Sequence, residues 1–115
     1  MIIDSNLAVS EVTSQVVAYV LNKIVSAVNP SKVILFGSQA RGEKHTGSDI
    51  DLLVITNPGD DREKIRLEIE RVLRGRRFGV DLLVRTPEDV DWNMEVENPF
   101  YIDEIVRQGK VIYEH

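Results

Sequence analysis

The sequence predicts an α/β (α+β) domain, a mixed β-sheet flanked by helices in the order α-β-β-α-β-α-β. Three observations predict it. Short apolar runs rich in Val, Ile and Leu recur at Val33–Phe36, Asp49–Ile55, Phe78–Val84 and Lys110–Tyr113, each of strand length. Other segments carry apolar residues at spacings of three and four, the stripe of a helix packed on one side. The segment joining the runs at 49–55 and 78–84 is long enough to be a helical crossover, so those two strands run parallel if they are neighbours.

Each element has its own signals. From Val9, the residues Val12, Val16, Val20, Ile24 and Val28 form one apolar stripe; Ser10 is placed to cap the helix, and Asn29-Pro30 ends it. Val33–Phe36 is wholly apolar and stops at Gly37, a buried strand. Asp49–Ile55 is the second strand, closed by the turn residues Thr56 to Gly59. Ile65, Ile69, Val72 and Leu73 give the helix over 60–74 its apolar face, with acids in the first turn where the helix dipole favours them. Gly75 ends it before the third strand. The stretch Glu88 to Glu97 is too polar to assign. Asn98-Pro99 and Gly109 then bracket a short helix, and Lys110–Tyr113 forms a last strand.

With 115 residues, the chain is sized for one domain with one core, here residues 1–115, without repeat or linker. A composition of 43% hydrophobic and 29% charged residues belongs to a soluble globular protein, and no run approaches the ~18 apolar residues that a membrane span requires. The amino terminus lacks the basic and apolar regions of a secretion signal, so a cytoplasmic location is expected, with no membrane association. There is no cysteine, which leaves oxygen or histidine ligands for any metal. The net charge of −5 argues against extensive nucleic-acid binding, whose affinity comes from basic side chains.

Asp49 and Asp51 stand two residues apart on a predicted strand, so both side chains leave one face, about 7 Å apart at the backbone. Leu53 and Ile55 continue that face into the core, while Ile50, Leu52 and Val54 take the other. If the two flanking strands run parallel, Asp81 begins its strand at the same end of the sheet. An antiparallel return from Phe36 to Asp49 would set Gly37-Ser38 beside Asp49. Gly37 permits close backbone approach, and a helical turn starting at Gln39 would add amide groups and the Ser38 hydroxyl as an anion site. Phosphate and divalent ion would then be adjacent, as phosphoryl or nucleotidyl transfer needs.

Gly37-Ser38-Gln39-Ala40-Arg41-Gly42, then Ser48-Asp49-Ile50-Asp51-Leu52, then Val80-Asp81-Leu82-Leu83, resembles the signature of DNA polymerase β-type nucleotidyltransferases. The likeness spans residues 10 to 113 and is nearest to the minimal nucleotidyltransferases. It implies that Asp49 and Asp51 hold two Mg²⁺ ions, that Asp81 completes the catalytic set and takes the acceptor proton, and that Gly37 and Ser38 hold the phosphates of ATP or another nucleoside triphosphate. Arg41 and Lys44 are candidates for neutralising the leaving pyrophosphate, though Arg41 is equally placed to pair with a structural carboxylate.

Larger relatives append a helical region for the acceptor, and none follows here, so the expected acceptor is another protein or a second copy of this chain. Minimal nucleotidyltransferases are commonly paired with a HEPN-domain partner in a toxin–antitoxin system. The resemblance therefore implies a protein adenylyltransferase that silences such a toxin. The alternative is a catalytically inactive nucleotide-binding module that blocks its partner by contact. His45 reads as an exposed loop residue and His115 as a chain end. Arg71, Arg74, Arg76 and Arg77 form a basic group leading toward Asp81, explained more simply by the dipole of the preceding helix. Trp92 and Met94 either cover a sheet edge or meet a partner.

Overall fold

The computed structural model describes residues 4–42 and 49–115. It contains the helices α1 (Ser14–Val28), α2 (Gly37–Ala40), α3 (Arg62–Val72), α4 (Pro87–Glu95) and α5 (Phe100–Arg107), and the strands β1 (Lys32–Phe36), β2 (Ile50–Ile55), β3 (Val80–Arg85) and β4 (Lys110–Glu114). Four strands form one mixed sheet in the order β3-β2-β1-β4, with β2 and β3 parallel and β1 antiparallel to both β2 and β4. The parallel pairing expected from the crossover length is present, as is the antiparallel return from β1.

Strict alternation along the strands divides the core in two. Val33 and Leu35 of β1, Ile50, Leu52 and Val54 of β2 and Val84 of β3 pack with Val20 and Ile24 of α1 and Ile69 of α3. On the opposite face Ile34, Phe36, Leu53 and Ile55 pack with Tyr101 and Ile105 of α5, and Val90 and Met94 of α4 join them. Strand β2 is central and covered on both sides, which is why its apolar residues are continuous rather than alternating with polar ones. Among the described residues, no helix is long and apolar enough to cross a membrane.

Three expectations need correction. Helix α1 starts at Ser14, not near Val9, and its cap is Thr13, whose hydroxyl accepts from the Val16 amide at 3.2 Å, rather than Ser10. The preceding residues turn back instead: Leu7 enters the core, and Asp4 accepts the Tyr19 hydroxyl at 2.7 Å and pairs with Lys23 at 3.1 Å. The stretch left unassigned at 88–97 is largely α4, begun by a reciprocal cap in which the Thr86 hydroxyl accepts from the Asp89 amide and the Asp89 carboxylate accepts from the Thr86 amide. Finally, the short helix after Asn98-Pro99 is wound with the wider π turn. Asn98 still serves its entrance, accepting from the Phe100 amide at 3.1 Å.

Candidate active site at the acidic end of the sheet

Register builds the site. Asp51 of β2 pairs with Asp81 across the parallel ladder and with Phe36 across the antiparallel one. Cross-strand partners share a face, so Asp81, Asp51 and Phe36 form one row on the α5 side of the sheet. The next row on that face is Leu83, Leu53 and Ile34, fully apolar. Asp49 directly precedes β2, and its carboxylate lies against Gly79 at the entry of β3. The three aspartates therefore gather at one edge of the sheet, where β2 and β3 begin and β1 finishes, with Asp51 and Asp81 above the apolar column.

Two glycines make room for the carboxylates. A methyl group at Gly37 would come within 2.1 Å of Asp51 Oδ2, and one at Gly79, just before β3, would come within 2.1 Å of Asp49 Oδ1. Asp51 thus leans toward the turn after β1, and Asp49 toward the entry of β3. The Gly37 backbone has φ +70, a left-handed value that a side chain would strain. Helix α2 begins at this glycine, earlier than the expected start at Gln39, so Ser38 lies in its first turn. The bend lies against Asp51, with which Phe36 is in register, whereas the expectation set it beside Asp49.

Burial raises the Asp51 carboxyl above the usual carboxylate range, and the charges of Asp81 and Asp49 push it further up, while Arg41 opposes them. Asp51 is thus the carboxyl on which burial and the two neighbouring charges converge. Arg41 also donates from Nη1 to Glu104 Oε2 of α5 at 3.2 Å and to Gln108 Oε1 at 3.4 Å. Arg41 therefore pairs with a carboxylate, tying the end of α2 to α5. Lys44 and His45 lie outside the described residues.

Among the described residues, no three acidic or histidine side chains are set closely enough to enclose one ion as they stand. The donor chemistry nonetheless suits a hard divalent cation: only carboxylates, two of them exposed, with the third destabilised by its neighbours in a way that a cation offsets. Arg71, Arg74, Arg76 and Arg77 line a cavity of about 990 Å³ whose wall includes Asp49 and Asp81.

Carboxylates at the starts of the two parallel strands thus stand beside a glycine-led turn at one edge of a mixed α+β sheet. The family model described as "Nucleotidyltransferase domain" matches residues 18–112, and the chain belongs to that family. The resemblance read from Gly37-Ser38, Asp49, Asp51 and Asp81 is borne out at that level.

Solved structures share the fold. A Sulfolobus solfataricus protein provisionally assigned as a nucleotidyltransferase superposes with a TM-score of 0.58 at 19% identity, over 88% of this chain and 79% of that one. A toxin-antitoxin with AMP-PNP gives 0.52 at 24% identity, over 84% and 73%. A point mutant of the toxin-antitoxin MntA-HpeT gives 0.50 at 20% identity, over 91% and 75%. No curated protein matches the sequence significantly.

Proposed function

We propose that this domain transfers a nucleoside monophosphate, AMP from ATP, to a hydroxyl group on a partner protein, and that the partner is a HEPN-domain toxin that the modification silences in the cytoplasm. One observation carries the reading. Asp51 is in register with Asp81, feels the charge of Asp49, and lies against the Gly37 turn. Family membership supports the reaction class. The toxin–antitoxin neighbours, one with AMP-PNP, support the partner and the nucleotide.

In this reading Gly37 and Ser38, with the first amides of α2, receive the β- and γ-phosphates. Asp49 and Asp51 would hold two Mg²⁺ ions and Asp81 one of them, supplying a lowered hydroxyl pKa and charge neutralisation at the phosphates. The acceptor oxygen attacks the α-phosphorus, the bond from that phosphorus to the bridging oxygen of the β-phosphate breaks, and pyrophosphate leaves. Asp81 takes the proton of the attacking hydroxyl. Arg41, with Lys44, would neutralise charge on the leaving pyrophosphate.

A second reading, a binding module that blocks its partner without chemistry, is favoured by one observation: no trio of acids encloses an ion among the described residues. Incubation with Mg²⁺, α-labelled ATP and the co-expressed neighbouring protein separates the two. Label on the neighbour that disappears with Asp49→Ala is expected for the enzyme. Inhibition of the neighbour undiminished by Asp49→Ala, with no label transferred, overturns it in favour of the module.

A further inference from the structure

We propose that the cavity between the end of α3 and the start of β3 is the docking site for an acidic segment of the acceptor protein, gripped by Arg74 and Arg77. The proposal rests on the protein-modifying reading above. Four arginines line this cavity, but they differ in what they already bind. Arg71 pairs with Glu68, and Arg76 with Glu70 at 3.3 Å and the Leu73 carbonyl at 3.3 Å. The side chains of Arg74 and Arg77 have no ion pair or hydrogen bond among the described residues, and both are exposed.

Their mounting is nonetheless fixed. Gly75 turns the chain with φ +95, and the turn is held by the Arg76 amide on the Leu73 carbonyl and the Arg77 amide on the Leu7 carbonyl. Helix dipole alone accounts for Arg74, which directly follows the end of α3, but the effect fades within a turn and does not reach Arg77. Two unmatched guanidinium groups on a pinned turn, in a chain of net charge −5, are a local reversal of field.

The acids in the same lining decide which anion fits. Asp49 and Asp81 share the cavity with the four arginines. A uniformly charged strand such as RNA would bring its phosphates against those carboxylates. A polypeptide can lay Asp or Glu on Arg74 and Arg77 while presenting a neutral hydroxyl toward Asp81. Guanidinium and carboxylate match in planar, two-bond geometry, so register as well as charge would be read.

The test uses the full chain without nucleotide or metal, and fluorescein-labelled poly(Glu,Tyr), poly(Lys,Tyr) and oligo(A) RNA as probes, followed by anisotropy at about 50 mM and about 200 mM salt. Expected are binding of poly(Glu,Tyr) alone and loss of at least ~10-fold in affinity in Arg74→Ala/Arg77→Ala. Partial recovery is expected in the double lysine variant, and no change in Arg66→Ala, on α3 outside the cavity. Should the double variant fold poorly by urea titration, Arg77→Glu alone must show the loss. Unchanged binding in these variants, or oligo(A) bound through the same arginines, overturns the proposal. If poly(Glu,Tyr) binds as expected but no nucleotide transfer occurs, the catalytic reading falls while the docking surface stands. Transfer to the partner at wild-type KM in the double variant removes the docking surface alone.

Discussion

The Asp51 carboxylate lies so close to Gly37 that a single methyl group on the glycine would meet its Oδ2 at 2.1 Å. Gly42 offers a control, since it too has positive φ, +76, but among the described residues nothing lies within 4 Å of the added methyl. Gly37→Ala and Gly42→Ala should each cost about 1–2 kcal/mol from the left-handed backbone. Only Gly37→Ala should displace Asp51 and suppress transfer. Urea midpoints compare the costs, and equal activity of the two variants would refute the coupling.

Gly79→Ala isolates the same effect at Asp49. Its φ is not in the left-handed region, so backbone strain is absent, yet the methyl group would come within 2.4 Å of Asp49 Cγ. Stability should change by less than about 1 kcal/mol while transfer falls. Thermal melts and the labelled-ATP assay on one preparation check both halves.

Asp51→Asn should lower transfer by at least ~10²-fold without lowering the melting temperature in EDTA. The reason is that burial and the Asp81 and Asp49 charges already disfavour the ionised Asp51 in the folded chain. A clear drop in melting temperature would mean that Asp51 is a structural anchor.

The cap of α4 sets an acid sensitivity. Asp89 is held below the usual carboxylate range, chiefly by the Thr86 amide hydrogen bond, aided by Arg62. A depressed folded pKa contributes stability that is fully present above the unfolded value of 3.8 and is lost as pH falls through the lower folded value. Asp89→Asn should therefore be destabilising at neutral pH and converge with wild type in strong acid. Thr86→Ala should cost about 1 kcal/mol at neutral pH. Urea melts at a series of pH values test both.

Leu53, fully buried beneath the aspartates, should be expensive to truncate. Leu53→Ala is expected to cost about 2–5 kcal/mol and to loosen the carboxylate row above it. A chemical denaturation curve gives the cost directly.

The acids, the glycine-serine bend and the strand directions were legible because each rests on local spacing: a period of two in β2, a crossover length between β2 and β3, a break at Gly37. Helix α4 was not read because Val90, Trp92 and Met94 are two apart and suggest no helical stripe. Its start signal was nonetheless written in Thr86-Pro87-Glu88-Asp89. Trp92 and Met94, read as a pair, part company in the fold: Met94 packs under α5 and Trp92 stays 62% exposed. Thr13 displaced Ser10 as the cap because Leu7 is drawn into the core and the chain before it folds back through Asp4 to Tyr19 and Lys23, contacts distant in sequence. The arginine cavity depended on the same long-range geometry, since it forms only when α3 and β3 come together.

Because odd-numbered residues of β2 serve the acids and one half of the core while even-numbered residues serve the other half, the strand has no spare position. A one-residue insertion or deletion after Asp51 would rotate every downstream side chain into the opposite environment. The turns can lengthen without that penalty. Variation in chain length is thus channelled away from the middle of the sheet and into its connections, which leaves the periphery free to acquire new specificities around an inflexible centre.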